Sequence, residues 1–407
     1  MTTSAPDVSS PKISIGMPVF NGGTLLREAV DSLLAQEFTD FELIISDNAS
    51  TDTTEELCRS YRRKDPRVVY LRRDRNYGSN NNSVNAYRHA RGEYYLFSAH
   101  DDRWHPRFLS RCVEQLEKNP AAVLATPLIQ HLTPDGDECD QYYPVLHTAG
   151  MGLRGRVAAI FRETNIGYNV YGLFRKSALD TINLELDCYG GDVIILLQTM
   201  FLGETIHIPE KLACYRLNYR TAQQQVDSIG HTAGEKKVDK PYTTLTVNLL
   251  RTVMNSSAAA PLKRLLTSDI LQIIAKENPD WRNVLIAENP TLRGFIEPNR
   301  YGFSGSATDN ITSAFAALLL PYCCSTAIGE RHIDFSDISS FTTILPLDAL
   351  PPPPGQRQFI EALVKLIDGN SVGEAVAYYR RYRNIQPPSE YLEKIDRVIM
   401  QFHQYQR

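Results

Sequence analysis

The chain has 407 residues, of which 43% are hydrophobic and 22% are charged, and its formal net charge is -4 at pH 7. These values are typical of a soluble protein with two or three domains, and they exclude a general electrostatic attraction to nucleic acid or anionic membranes. The seven cysteines lack metal-ligand spacing and the first ten residues are polar, which predicts a cytosolic protein with reduced thiols.

The first hundred residues repeat one unit, a strand followed by a helix. The predicted strands cover residues 13–20, 41–46, 68–71 and 94–98. The predicted helices cover residues 25–34, a segment from about residue 50, residues 81–91 ending before Gly92, and a segment from Pro106. Short crossovers of this kind predict an α/β fold with a Rossmann-like, mainly parallel sheet flanked by helices.

A polar segment follows each predicted strand. The four segments are "PVFN" (18–21), "DNASTD" (47–52), "RDRNYG" (73–78) and "AHDD" (99–102). Ligands bind beyond the carboxyl ends of parallel strands, so four polar segments at that edge favour a site for a polar ligand. The basic run at 59–75 has two interpretations, a solvated helix with its loop or a patch that binds anions.

The neighbouring acids Asp101 and Asp102 also have two interpretations. Hard oxygen ligands at a strand end suit Mg²⁺ or Mn²⁺ with a diphosphate, but Asp102 could instead cap the next helix. For Asp47 the alternatives are a hydrogen bond from a nucleotide base or a cap on the next helix. Asn21 with Gly22, and Gly78 after Asn76, predict tight turns where backbone approaches a ligand.

Taken together, these segments resemble family 2 glycosyltransferases, a large inverting group with the GT-A fold. The resemblance covers residues 13–220. "PVFNGG" resembles the opening P-x-[FY]-N motif, "SDNASTD" the D-[DN]-x-S-x-D motif, and "NYGSNNNSVNAYRHARGEYYLF" the N-x-G helix with its following strand. "AHDD" occupies the D-x-D-D position, with Ala99 in place of the first aspartate.

The resemblance implies a role for each matching residue. Asp47 would read the nucleotide base, with backbone near Pro18 and Phe20 beside it. Asp101 and Asp102 would hold Mn²⁺ or Mg²⁺. The implied nucleotide-binding residues are Pro18, Phe20, Asn21, Asp47, Asn76, Gly78, Asn82, Asp101 and Arg216.

The family also implies a general base, and Asp192 lies at the matching place. Gly191 precedes it where the family usually has Glu, and the alternative role for Asp192 is the N-cap of a helix. "YRLN" (215–218) resembles a Y-R-x-H element in which Arg216 would hold the diphosphate, with Asn218 in place of the histidine. "GYNVYGLFRKSAL" (167–179) resembles the strand under the acceptor site, and Trp104 would either stack on an acceptor sugar or pack in the core.

The implied function is metal-dependent, inverting transfer of a sugar from a nucleoside-diphosphate donor, a UDP-sugar by family habit, to a hydroxyl of a glycan, lipid-linked or protein-linked acceptor. One alternative is a catalytically degenerate nucleotide-sugar scaffold, which Ala99, Gly191 and Asn218 favour. Another is a sugar-phosphate nucleotidyltransferase, although "PVFNGGTLLRE" lacks the Gly-rich phosphate loop of that class. No nucleic-acid partner is expected.

The predicted organisation has five parts. They are a disordered tail (1–11), a GT-A domain (12–225), a helical accessory region (226–346), a Pro-rich linker (347–356) and C-terminal helices (357–407). The apolar stretch 314–329 is a buried helix or a membrane-facing patch. The C-terminal helices pack on the enzyme or on a second subunit, or their Arg380, Arg381 and Arg383 contact the acceptor or the inner face of the membrane.

Overall fold

The computed structural model describes residues 10–163, 165–186, 188–217 and 241–288. The strands are β1 (Ile13–Val19), β2 (Phe41–Asp47), β3 (Val68–Arg72), β4 (Tyr94–Phe97), β5 (Arg103–Trp104), β6 (Ala122–Leu132), β7 (Glu138–Tyr142), β8 (Leu173–Arg175) and β9 (Glu204–Arg216). The helices up to β9 are α1 (Leu25–Leu34), α2 (Thr54–Lys64), α3 (Ser79–Arg88), α4 (Phe108–Lys118), α5 (Leu153–Arg162), a 3₁₀ helix (Ile166–Tyr171), α6 (Lys176–Leu179) and α7 (Gly191–Met200).

The strands form one sheet in the order β3-β2-β1-β4-β8-β6-β9-β5, and β7 pairs with β6. The first four strands along this order are all parallel, as predicted. Beyond β4 the sheet is mixed, because β8 runs antiparallel to both β4 and β6, while β9 runs parallel to β6 and antiparallel to β5. The α/β prediction is confirmed, and the parallel part of the sheet is its first half.

Helices cover both faces of the first half of the sheet. Alternate residues of β4 point to opposite faces: Tyr94 and Leu96 belong to the core that also contains the apolar faces of α1 and α4. On the other face Tyr95 packs edge-to-face against Tyr87 of α3, with ring centroids 4.8 Å apart. Because neither face meets water, β1 and β2 read as continuous apolar runs.

Gly92 has a different role from the one predicted. The helix α3 ends at Arg88 with His89 as its C-cap, so Gly92 does not terminate the helix directly. A Cβ at position 92 would lie 2.5 Å from the backbone nitrogen of Ser14, and the Gly92 N–H donates to Ser14 Oγ at 2.8 Å. Glycine is required there because the chain passes against β1.

The described part of the predicted accessory region is helical. Its helices are Pro241–Asn255, Ala260–Lys276 and Pro279–Glu288. The division between the two compact units of the chain falls at Leu249–Leu250, and the predicted domain boundaries stay predictions. In the second unit Asn278 Oδ1 accepts the N–H of Trp281, which caps the third of these helices.

Several predictions concern residues outside the described ranges. They are Asn218, the apolar stretch 314–329, the linker 347–356 and the C-terminal helices with Arg380, Arg381 and Arg383. Among the described helices, none is both long enough and apolar enough to cross a bilayer.

Candidate active site

The ends of β1 and β2 are joined through the turn at Asn21. Asn21 has φ of 51°, a left-handed conformation that asparagine adopts more readily than most residues. Its N–H donates to Ser50 Oγ at 2.9 Å, and its Oδ1 accepts the N–H of Thr51 at 2.8 Å. The predicted tight turn is therefore present, and the loop after β2 holds it in place.

Asn48 joins the loop after β2 to the loop after β3. Its Nδ2 donates to Asn76 Oδ1 at 2.6 Å and to the Gly78 carbonyl at 3.1 Å, and its Oδ1 accepts the N–H of Tyr77. Gly78 has φ of 84°, which favours glycine. Asn48 is not among the predicted site residues, although its place directly after Asp47 in "SDNASTD" could have indicated it.

Asn82, on α3, bonds the end of β2 from inside the protein. Its Nδ2 donates to the Ser46 carbonyl at 2.7 Å, and its Oδ1 accepts the Ser46 hydroxyl at 2.6 Å. The side chain is buried, so its predicted contact with a nucleotide stays a prediction. The fourth polar segment lies beside the first, because a Cβ at Gly22 would be 3.3 Å from the ring of His100. All four segments thus meet at one edge, as predicted.

Asp47 is buried and bonded through both carboxylate oxygens. Oδ1 accepts the N–H of Ser50, while Oδ2 accepts the Tyr70 hydroxyl and Arg72 Nη1, each at 2.6 Å. Burial alone would raise the pKa of Asp47, but these hydrogen bonds and the Arg72 charge outweigh it and hold the pKa below its usual value. Since α2 has Thr53 as its N-cap, Asp47 does not cap that helix.

The aromatic ring of Phe20 is exposed to solvent at this edge of the sheet. This residue directly follows β1 and is 43% exposed, one of the few large apolar side chains in the described ranges with that much exposure. Pro18 is half-buried within β1. The edge therefore offers an aromatic face next to the hydrogen-bonded loops that follow β2 and β3.

Asp102 has one satisfied and one unsatisfied oxygen. The side chain is 3% exposed; Oδ1 accepts the backbone N–H of Arg216 at 3.0 Å, and Oδ2 is buried without a hydrogen-bond partner among the described residues. Burial and the neighbouring Asp101 charge raise the pKa of Asp102 well above its usual value. The N-cap of α4 is Arg107, so the helix-cap alternative for Asp102 is wrong.

Asp101 and Asp102, here called the acid pair, suit a hard divalent cation. A buried carboxylate oxygen that lacks a partner, next to a second acid, is a position that a bound cation neutralises. Within the described ranges no group of three or more His, Cys, Asp or Glu side chains is arranged around a metal position.

Arg216 does not have the predicted contacts. Its Nη2 pairs with Glu28 Oε2 at 2.6 Å, its Nε donates to the Asp101 carbonyl at 3.0 Å, and its Nη1 donates to the Pro134 carbonyl at 3.1 Å. The predicted role as a diphosphate ligand disagrees with this, because all three guanidinium nitrogens are used inside the protein and the residue is buried. Arg216 instead holds the acid pair in place, since its backbone also bonds Asp102.

Asp192 is an accessible carboxylate in the first turn of α7. Gly190, with φ of 73°, occupies the N-cap, so the capping alternative for Asp192 is wrong. Asp192 is exposed, yet its carboxylate lies so close to Gly167 that a Cβ at position 167 would overlap it. Loss of solvation among the surrounding atoms raises the pKa of Asp192 above its usual value, which suits a proton acceptor.

Tyr143, Tyr168, Tyr171 and Tyr215, here called the tyrosine cluster, form one group of contacting aromatic rings. The ring centroids of Tyr143 and Tyr168 are 3.8 Å apart, and those of Tyr168 and Tyr215 are 5.3 Å apart. Tyr168 follows Gly167, which touches Asp192, and Tyr215 precedes Arg216, which touches Asp102. The cluster thus joins the surroundings of the two acidic positions.

The tyrosine cluster was not predicted as part of the site. Burial first, and then the charges of Asp102 and Asp192, raise the pKa of Tyr171, which indicates that its phenol senses both acidic positions. Within the described part of the chain, the buried hydroxyl of Tyr215 has no hydrogen-bond partner. The two tyrosines in "GYNVYG" were a visible indication, because that segment resembles the strand under the acceptor site.

Trp104 packs in the core and does not face a ligand. Its side chain is 2% exposed and lies in the same apolar cluster as Phe108 and Leu212. The prediction that its ring stacks on an acceptor sugar is therefore wrong, because a ring without exposed area offers no face. The core alternative is confirmed.

A family model and two curated relatives that match this chain are glycosyltransferases. Residues 14–182 match the model of glycosyl transferase family 2. The chain is 26% identical over 211 residues to GalNAc(5)-diNAcBac-PP-undecaprenol beta-1,3-glucosyltransferase of Campylobacter jejuni, covering 51% of this chain and 65% of that protein. It is 33% identical over 113 residues to an uncharacterized glycosyltransferase of Rickettsia prowazekii, covering 28% of this chain and 34% of that protein.

The fold is similar to that of a solved glycosyltransferase structure. Staphylococcus aureus TarS in complex with UDP-GlcNAc superposes with a TM-score of 0.52 and 16% identity, covering 76% of this chain and 92% of that chain. The chain spans between about one third and two thirds of the length of these two curated relatives. Residues 14–182 therefore form a glycosyl transferase family 2 domain, and the sheet that they build has a GT-A-like fold.

Proposed function

We propose that this chain transfers a sugar from a nucleoside-diphosphate donor to a hydroxyl of a glycan acceptor, with a divalent cation and with inversion at the anomeric carbon. One observation carries the proposal. The acid pair, whose buried Asp102 Oδ2 has no partner among the described residues, and the accessible carboxylate of Asp192 with its raised pKa both adjoin residues of the tyrosine cluster. The first suits a cation bound to diphosphate and the second suits a proton acceptor, the two functions that inverting transfer needs.

The proposed donor is a UDP-sugar. TarS, which has the same fold, forms complexes with UDP and with UDP-GlcNAc. In this chain the exposed ring of Phe20 offers a face for the base, and Asp47 is held ionised and can accept from a base N–H. Such a contact requires Asp47 to share an oxygen that already bonds Tyr70 and Arg72.

Asp101 and Asp102 would hold Mn²⁺ or Mg²⁺, with the remaining ligands supplied by the diphosphate. When bound, the cation neutralises negative charge on the leaving diphosphate. Arg216 and Glu28 act on this step by fixing the position of the acid pair, because Arg216 bonds the Asp101 carbonyl and, through its backbone, Asp102.

Asp192 is the proposed base on the acceptor side. The acceptor oxygen forms its bond to the anomeric carbon while the bond from that carbon to the diphosphate oxygen breaks. The hydroxyl proton moves to the Asp192 carboxylate, and the nucleoside diphosphate leaves. Because the attack is in line with the breaking bond, the anomeric configuration inverts. General-base help of this kind contributes about 10²–10⁴-fold to the rate.

The proposed acceptor is a lipid-linked glycan. The name of the Campylobacter jejuni relative describes glucosyl transfer to a saccharide joined to undecaprenol by diphosphate. In this chain the half-buried rings of Tyr168 and Tyr171 lie in the segment next to Asp192, and aromatic rings of this kind suit the apolar face of a sugar. Activity on such an acceptor places the protein at the membrane surface.

The full chain is to be assayed for nucleotide release from UDP-glucose, UDP-GlcNAc and GDP-mannose with Mn²⁺, together with the variant Asp102→Asn and its matched control Asp40→Asn. Asp40 is an exposed aspartate remote in sequence from the acid pair. We expect release from a UDP-sugar by the wild type and the control, and loss of Mn²⁺ binding in Asp102→Asn by calorimetry. Binding of every donor without release from any would favour the scaffold alternative instead.

A further inference from the structure

The three residues before the first turn of α7, Cys188, Tyr189 and Gly190, are here called the base loop. The loop leads directly into Asp192, so its position sets the position of the carboxylate. No side chain caps α7, and the left-handed turn at Gly190 aims the helix. The direction of Asp192 therefore depends on what holds this loop.

The first turns of the helix Pro241–Asn255 hold the base loop at two successive residues. The ring of Tyr242 lies 5.2 Å from that of Tyr189, and the Tyr189 hydroxyl donates to the Tyr242 hydroxyl at 3.3 Å. Leu245, 3% exposed, fills the space beside Gly190, because a Cβ at position 190 would lie 2.5 Å from its Cδ2. Tyr189 and Gly190 are thus packed against one surface.

The opposite side of the segment is held by the 3₁₀ helix. There the carboxylate of Asp192 lies against Gly167, and a methyl group at that position would overlap it. Burial, the contact with Tyr242 and then the charge of Asp192 raise the pKa of Tyr189. The Tyr189 phenol and the Asp192 carboxylate are therefore close enough to interact electrostatically. Asp192 is therefore fixed between two contacts, one on its carboxylate and one on the loop before it.

We propose that Tyr242 and Leu245 are positioning residues for Asp192: by packing on Tyr189 and Gly190 they hold the base at the distance from the acceptor that transfer needs. The inference rests on the proposed function, because it assigns no chemistry to either residue. A displacement of the base of about 1 Å is enough to slow such a step by about 10²-fold. The donor side belongs to other elements, so donor affinity is expected to stay unchanged.

The test compares Leu245→Ala with Leu249→Ala in the full chain. Both leucines are buried and belong to the same helix, but the three atoms nearest to a Cβ at Gly190 all belong to Leu245. We expect kcat to fall about 10- to 100-fold in Leu245→Ala, with the affinity for UDP and Mn²⁺ within about twofold of wild type by calorimetry. Both variants are expected to lower the melting temperature by similar amounts, because each removes a buried leucine side chain. The kcat of Leu249→Ala is expected to stay within about twofold of wild type.

The pH dependence of kcat separates positioning from a loss of stability. Loss of solvation among the surrounding atoms holds the pKa of Asp192 up, so a loosened base loop that admits more water is expected to lower this pKa and to move the acid limb of the profile to lower pH. Tyr242→Phe keeps the ring and removes the hydroxyl contact, and a smaller fall of about threefold in kcat is expected. Leu245→Met, which keeps the side-chain volume, is expected to restore kcat and guards against misfolding of the alanine variant.

The outcomes are distinct. Equal losses of kcat in Leu245→Ala and Leu249→Ala, or an unmoved acid limb in Leu245→Ala, overturn the positioning role. Wild-type kcat in Leu245→Ala together with an inactive Asp192→Asn variant overturns this inference and leaves the proposed function intact. Wild-type kcat in Asp192→Asn overturns the base assignment itself.

Discussion

The parallel half of the sheet and its mixed half place their functional residues in different ways. In the parallel half, β3-β2-β1-β4, every polar segment stands at the carboxyl end of a strand, and the loops meet through Asn21, Asn48 and Asn76. In the mixed half, the tyrosine cluster comes from a strand, a 3₁₀ helix and a loop with no common position in a repeat. A repeated unit exposes its site in the sequence, whereas a mixed sheet assembles its site only by folding.

The largest effect is expected from the mixed half, at Asp192. Asp192→Asn removes the proton acceptor and keeps the shape, so kcat is expected to fall about 10²–10⁴-fold while UDP binds as in wild type. Steady-state kinetics and calorimetry measure the two quantities. Asp180→Asn, the same change at an exposed aspartate that bonds Tyr87 and Lys176, is the control and is expected to stay active. An active Asp192→Asn would move the base to another residue.

The next effect concerns the contact that fixes the base. Gly167→Ala places a methyl group on the Asp192 carboxylate, and kcat is expected to fall about 10²-fold through displacement of the base. Gly155→Ala is the control, because a methyl group there meets only ordinary contact with Met151 at 3.4 Å in an ordinary helix. Similar kcat values for the two variants would show that Asp192 has room to move without cost.

The pH dependence follows from the raised pKa of Asp192. The base acts only when it is deprotonated, so kcat is expected to fall about tenfold per pH unit below this pKa, at a pH above the ordinary range of aspartate. Stability has the opposite sign: since the folded pKa exceeds the unfolded one, this residue makes the free energy of unfolding decrease as pH rises from the unfolded to the folded value. Asp192→Asn removes both dependences, and stopped assays with denaturant titrations measure them.

A smaller effect tests the corrected role of Arg216. Arg216→Lys loses the forked contacts to Glu28, the Asp101 carbonyl and the Pro134 carbonyl, so Mn²⁺ affinity is expected to fall about tenfold even without nucleotide. A residue that bound diphosphate directly would instead weaken UDP and leave the cation affinity unchanged. Glu28→Gln, which removes the charge partner only, is expected to show the same pattern to a lesser degree.

The smallest effect is expected at Trp104. Trp104→Phe is predicted to leave the acceptor KM within about twofold of wild type, because the ring is in the core, and to lower stability by about 1–3 kcal/mol. A large rise in the acceptor KM at unchanged stability would mean that the ring reaches the ligand after all. Acceptor titrations and thermal unfolding distinguish the two results.

Much of the parallel half was predictable because local rules act there. Buried strands are continuous apolar runs, and the rule that ligands meet the carboxyl ends of strands predicts from the sequence alone that the segments of Asn21, Asp47, Asn76 and Asp102 lie together. The partners of those side chains were not predictable. Arg216 is an example. Its position in the sequence suggests an anion-binding role, but its guanidinium forms an ion pair with Glu28, which lies 188 residues away along the chain.

The mixed half resisted prediction for a similar reason. Trp104 follows the acid pair at once, so its neighbours in sequence suggested a ligand, but pairing of β5 with β9 turned its ring into the core. Tyr168 and Tyr215 are 47 positions apart by number, and only the fold brings their rings within 5.3 Å. Long-range pairing of this kind leaves no periodic trace in the sequence.

The turn at Asn21 and Gly22 has a consequence for the chemical ageing of the protein. An Asn-Gly pair deamidates when the glycine nitrogen attacks the asparagine side chain, which makes such pairs thermolabile in flexible chains. Here the Gly22 N–H donates to Thr54 Oγ1, and the side-chain Oδ1 of Asn21 accepts the backbone N–H of Thr51. The same hydrogen bonds that shape the edge of the sheet therefore protect the Asn21-Gly22 pair from deamidation. Loss of the fold would allow irreversible conversion of Asn21 into aspartate and isoaspartate.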